Sequence, residues 1–114
     1  MNMMTSFVEQ IEKLGLARPK PPATPELVLE AAERLGLTLK LTAPSVPEQY
    51  EVLKLDELSG YIKARHGGMQ VIYPDAGGEE IYDGPIDGFG GFTDHEREAK
   101  LLFALTLIAA RMLA

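Results

Sequence analysis

The stretch TDHEREAKLLFALTLIAARMLA, Thr93 to Ala114, constrains the fold more than any other part of the chain. Thr93 and Glu96 have the spacing of a capping box, in which each end of the pair satisfies a backbone N–H at a helix start. Asp94, Glu96 and Glu98 lie in the early turns and Arg111 in the last, as the helix dipole favours. At about 1.5 Å per residue the helix reaches about 33 Å. Arg97, Lys100 and Arg111 fall on one narrow stripe of the helical wheel, and nearly everything else is apolar. Such a helix must be covered on most sides, by its own sheet and helices or by a second subunit. Leu101, Leu105, Ile108 and Met112 form the face expected to pack on a sheet. Leu102, Phe103, Ala109, Ala110 and Leu113 flank it and are the expected interface of a homodimer. The mostly apolar run, Leu101 to Ala110, is far shorter than the roughly 20 residues that cross a bilayer, so no membrane partner is expected.

The sheet is expected upstream, where the hydrophobic period changes. YIKARHGGMQVIY predicts a hairpin around Gly67-Gly68, since glycine pairs supply the positive φ of tight turns. Pairing His66 with Met69 sets Ala64 opposite Val71 and Ile62 opposite Tyr73 on one mostly apolar face. Tyr61, Lys63, Arg65 and Gln70 share the other. QYEVLKL before the hairpin and EEIYD after the PDAGG turn read as further strands, completing an antiparallel meander of three to four strands.

Two helices are expected before the sheet. Residues 5–14 carry Phe7, Val8, Ile11 and Leu14 at helical spacing. In the second, Thr24 is placed to cap, Pro25 suits the first helical position, and the helix runs to about Leu35. Both end in Leu-Gly-Leu. Gly15 and Gly36 fit the left-handed position after a helix, and Leu16 and Leu37 the hydrophobic contact that follows it. The expected fold is therefore a single α+β domain over 1–114, with a long apolar C-terminal helix packed on the sheet. Its N-terminal helix, within 1–17, is separable across the proline-rich connector 18–25.

With 46% apolar and 25% charged residues, a chain of 114 residues has the composition of one folded domain. It has no cysteine, which removes disulfides, thiolate metal sites and thiol nucleophiles together. MNMMTSFVEQIEKLG has neither a basic n-region nor an apolar h-region, so a cytoplasmic location is expected. The net charge is −6, and residues 75–98 hold eight acidic groups against Arg97 alone. Phosphate backbones favour the opposite sign, so direct nucleic-acid binding is not expected.

EAAERLGLTLK resembles the first helix and turn of bacterial helix-turn-helix DNA-binding domains. A recognition helix would have to follow, but LTAPSVPEQ contains Pro44 and Pro47 and no basic residue. GFGGFTDHE has the outline of a phosphate-cradling loop without its lysine, and Asp94 and Glu96 already occupy the helix N-terminus. Asp83, Asp87, Asp94, His95 and Glu96 do not follow the ligand spacing of a calcium loop. His66, His95 and Ser59 belong to no nucleophile motif. No catalytic residue, cofactor site or metal site is therefore expected.

What remains distinctive is YDGPIDGFGGFTDHE, residues 82–96. Ile86, Phe89 and Phe92 recur every third residue among glycines and are rimmed by acids. As a plug they would pin the loop to the core. As anchors with a polar rim they would bind a partner. The function expected is a non-enzymatic protein-interaction module, an inhibitor or adaptor such as phages and other mobile elements carry. It would meet a basic surface of another protein through Glu79, Glu80, Asp83, Ile86, Asp87, Phe89 and Phe92. The alternatives are a small DNA-associated transcriptional regulator, favoured if Lys40, Lys54, Lys63 and Arg65 form a basic patch, and a metal-dependent or hydrolytic enzyme, favoured if His66 or His95 joins paired acids in a cleft.

Overall fold

The computed structural model describes residues 22–43 and 47–114. The helix expected at 5–14 and residues 18–21 of the connector lie outside these residues. In chain order the elements are α1 (Glu26–Arg34), β1 (Thr38–Ala43), β2 (Glu48–Lys54), β3 (Glu57–Arg65), β4 (Gly68–Tyr73), β5 (Glu79–Pro85) and α2 (Asp94–Leu113). The five strands pair in sequence order, every pair antiparallel.

α1 closes with both hydrogen bonds of a Schellman motif. The Leu37 N–H donates to the Ala32 carbonyl (2.7 Å) and the Gly36 N–H to that of Glu33 (2.9 Å). Gly36 takes the left-handed φ of +73° that this motif requires, and Leu37 drops into the core. The helix start differs from expectation: the capping position is Pro25, and no side chain caps it.

Two further differences concern the sheet, which has five strands rather than three or four. Leu39 alternates with exposed Thr38 and Lys40, making TLKLTA an edge strand, and the prolines come after it rather than within it. Within the segment that a recognition helix would occupy, residues 41–43 and 48–49 are strand. β2 and β3 are joined by a tight turn at Leu55-Asp56, both at positive φ (+50° and +67°), so β3 begins well before Tyr61.

In the β3–β4 hairpin the turn residues are His66 and Gly67 (φ +55° and +75°), not Gly67-Gly68. Ala64 pairs with Met69 and Ile62 with Val71, while Gly68 enters the strand opposite Arg65. The register is offset by two residues from the expected one. An even offset preserves the alternation of faces, so Ile62, Ala64, Met69 and Val71 still point inward.

The inward face adds Tyr50 and Val52, and it packs against Val28 and Ala32 of α1 and Leu101, Ala104, Leu105 and Ile108 of α2. Met112 completes the stripe, half-buried against the same core. Both helices lie on this face in a two-layer arrangement. Lys40, Glu51, Tyr61, Lys63, Gln70 and Asp83 occupy the opposite face, which no described element buries. None of the described helices is long and apolar enough to cross a membrane.

Candidate functional site

The loop between β5 and α2 is sewn to the body by two carboxylates. The first is Glu48, which strand alternation places on the inward face with Tyr50 and Val52, only 3% exposed. It accepts from Arg97 Nε (2.8 Å) and Nη2 (3.1 Å), from the Phe92 N–H (3.2 Å) and from the Tyr50 hydroxyl. Arg97 Nη2 also donates to the Phe92 carbonyl (3.0 Å), and Nη1 to Asp94. Arg97 is therefore buried rather than part of a solvated stripe, because Glu48 waits beneath it. Its hydrogen bonds to Glu48, outweighing burial, push the guanidinium pKa up. Burial, reinforced by Glu48, pushes the Tyr50 hydroxyl up. Both groups hold their protons throughout the physiological range.

The second carboxylate is Glu96. Its Oε1 accepts the Asp87 N–H (2.8 Å) and its Oε2 the N–H groups of Gly88 (2.9 Å) and Thr93 (2.8 Å). Thr93 Oγ1 accepts the Glu96 N–H in return, so the capping box read from the sequence is present. Burial pushes the Glu96 carboxyl up, but the donors from Asp87, Thr93 and Gly88 outweigh it and hold the pKa below its ordinary value. Gly91 crosses directly over Glu48. A Cβ there would lie 2.8 Å from Glu48 Oε1 and 2.9 Å from its Cβ, so a side chain would displace the carboxylate. The loop also clips onto the β3–β4 turn, with the Ile86 N–H donating to the Gly67 carbonyl (2.9 Å) and the Gly67 N–H to that of Phe89 (3.3 Å).

These bonds sort the three apolar loop residues. Ile86 and Phe92 are core side chains, while Phe89 stands 75% exposed. Its ring meets that of His66 at a centroid distance of 5.6 Å. Asp87 is exposed beside it. Asp83 lies towards the same end of β5, whereas Glu79 and Glu80 begin that strand, about 10–13 Å from Asp83 at ~3.3 Å per residue. There Glu79 pairs with Arg111 (2.9 Å) and Glu80 accepts from Gln70 Nε2 (2.9 Å). The sequence-predicted partner-binding residues therefore fall into a Phe89 corner, a distant acidic strand end, and two buried plugs.

On α2, Leu102 and Ala109 are half-buried, and Ala110 and Leu113 are exposed. Phe103 is 44% exposed and packs edge-on against Tyr82 at 4.9 Å. Lys40, Lys63 and Arg65 share the open sheet face, whereas Lys54 closes β2. His66 sits in a turn and His95 is exposed in the first turn of α2. Among the described residues no three His, Asp or Glu side chains are grouped to hold a metal ion.

Sequence reasoning missed Glu48 and the arginine it buries. The signal was the parity of EQYEVLK: if Tyr50 and Val52 point inward, so does Glu48, and a buried carboxylate calls for a cation. No known protein family, curated protein or solved structure matches the chain.

Proposed function

We propose that the chain is a non-enzymatic protein-interaction module, an inhibitor or adaptor, and that its contact surface is the corner around Phe89. The carrying observation is the contrast within one loop: its flanking apolar residues are buried, its backbone is tied to Glu48 and Glu96, and Phe89 is left in water. An aromatic group on a pre-ordered loop binds with little further loss of conformational freedom. Asp83 on β5, Asp87 in the loop and Asp94 at the start of α2 are all exposed, so the complementary partner offers an apolar pocket with a basic rim. A DNA-associated regulator is the second reading, supported by Lys40, Lys63 and Arg65 on one face. Glu51, Glu80 and Asp83 share that face and offset the attraction for phosphate.

The test is affinity purification of the tagged protein from its host, followed by binding measurements on the protein captured. Phe89→Ala should leave unfolding stability within about 0.5 kcal/mol of the parent, as surface substitutions do, yet weaken binding by at least about tenfold. Undiminished binding by Phe89→Ala would refute this surface.

A further inference from the structure

The open sheet face carries a depression of about 250 Å³ lined by Lys63, Arg65, His66, Gly68, Gln70 and Asp83. It is distinct from the Phe89 knob, although His66 and Asp83 lie at the border of both. Gly68 opens its floor, since the position opposite Arg65 has no side chain. Lys63 lies between Gln49 and Gln70, so no carboxylate is its direct cross-strand neighbour. Among the described residues neither Lys63 nor Arg65 forms an ion pair, whereas Arg97 and Arg111 both do. Arg34, Lys40, Lys54 and Lys100 likewise form none, but Lys63 and Arg65 are the two cations that line one depression.

The other wall has the opposite character. Asp83 faces Gln70 across the strands, and its Oδ1 lies 3.9 Å from the point where a Gly68 Cβ would stand. Gln70 gives its amide to Glu80, which fixes that side chain and leaves its carbonyl oxygen as an acceptor. The depression is therefore bipolar, with donors and positive charge on the β3 side and acceptors on the β4–β5 side.

We propose that this depression binds a small phosphate monoester that also carries a hydroxyl group. The phosphate, with a charge near −2 at neutral pH, matches the ammonium of Lys63 and the guanidinium fork of Arg65 better than a singly charged carboxylate does. The hydroxyl donates to Asp83 or Gln70. The volume admits a compact molecule and lies below the range of pockets that hold drug-sized ligands.

The experiment is an NMR titration of the ¹⁵N-labelled protein at constant ionic strength with glycerol phosphate, inorganic phosphate, lactate and glycerol. Saturable shifts at the amides of Lys63, Arg65, Gly68 and Asp83 are expected with glycerol phosphate, about tenfold tighter than with inorganic phosphate or lactate. Glycerol alone should move nothing. Arg65→Gln should abolish binding, and Asp83→Asn should erase the advantage of glycerol phosphate over inorganic phosphate. Gly68→Thr fills the floor where a Cβ meets only ordinary contacts of 3.6 Å or more, so it should block binding in a folded protein. Phe89→Ala should change nothing here, which separates this site from the partner surface. Non-saturable shifts, binding that survives Arg65→Gln or Gly68→Thr, or lactate binding more tightly than glycerol phosphate would overturn the proposal.

Discussion

Replacing Glu48 with alanine removes the acceptor on which the loop converges. Arg97 loses its buried counterion, the Phe92 N–H loses its acceptor, and the Tyr50 hydroxyl loses its partner. Breaking a buried pair from one side costs about 3–5 kcal/mol, because the remaining charge stays desolvated. The orphaned N–H and hydroxyl place Glu48→Ala at the upper end of that range. With an unfolding entropy near 2.1 cal/mol/K per residue, 114 residues give about 0.24 kcal/mol/K, so Tm should fall by about 13–21 °C. Calorimetry and urea unfolding followed by circular dichroism measure this directly. Glu48→Leu combined with Arg97→Met should recover most of the loss, since neither charge is then stranded. A loss below about 1 kcal/mol for Glu48→Ala, or a double variant as unstable as the sum of its singles, would refute the reading of Glu48 as the keystone of the loop.

The Glu96 carboxyl has a folded pKa below its unfolded value, so its contribution is complete above the ordinary glutamate range and is lost as pH falls through the lowered value. Glu96→Gln should therefore be less stable at neutral pH and show a flatter decline on acidification, measured by urea unfolding across the acid range. The exposed flank of α2, Phe103, Ala110 and Leu113, should support a two-fold dimer. Light scattering at micromolar concentration should then give about twice 12.5 kDa, and a mass of one chain would rule the stable dimer out.

Features set by local chemistry were legible in the sequence. Gly36-Leu37 and Thr93-Glu96 each complete a helix end within a few residues, so their motifs identify them without tertiary context. The faces of the central hairpin were legible for the same reason, but its turn was not. A glycine pair suggests itself as the turn, yet here histidine takes one left-handed position and frees Gly68 for the strand. The Leu55-Asp56 turn places a leucine, which seldom adopts positive φ, beside a single aspartate and has no glycine, so it does not read as a turn. Arg97 and Glu48 are separated by 49 positions, and only the folded sheet brings them together. That pair, with the Glu96 bonds and the clip onto Gly67, fixes the loop that buries Ile86 and Phe92 and leaves Phe89 in solvent.

The two members of that pair are also made at different times, Glu48 on β2 and Arg97 on α2. During synthesis the meander emerges before α2, and its neighbouring-strand pairings are local enough to form early. Until α2 follows, Glu48 faces an inward surface with no counterion, and Tyr50, Ile62 and Val71 have no helix above them. Burying that face before Arg97 is in place would strand the carboxylate without its counterion, at a cost of about 3–5 kcal/mol. Arrival of Arg97 and the apolar turns behind it removes that penalty and provides the cover in a single step. The counterion of Glu48 and the cover of the core therefore come from one helix, the last of the described elements to be made.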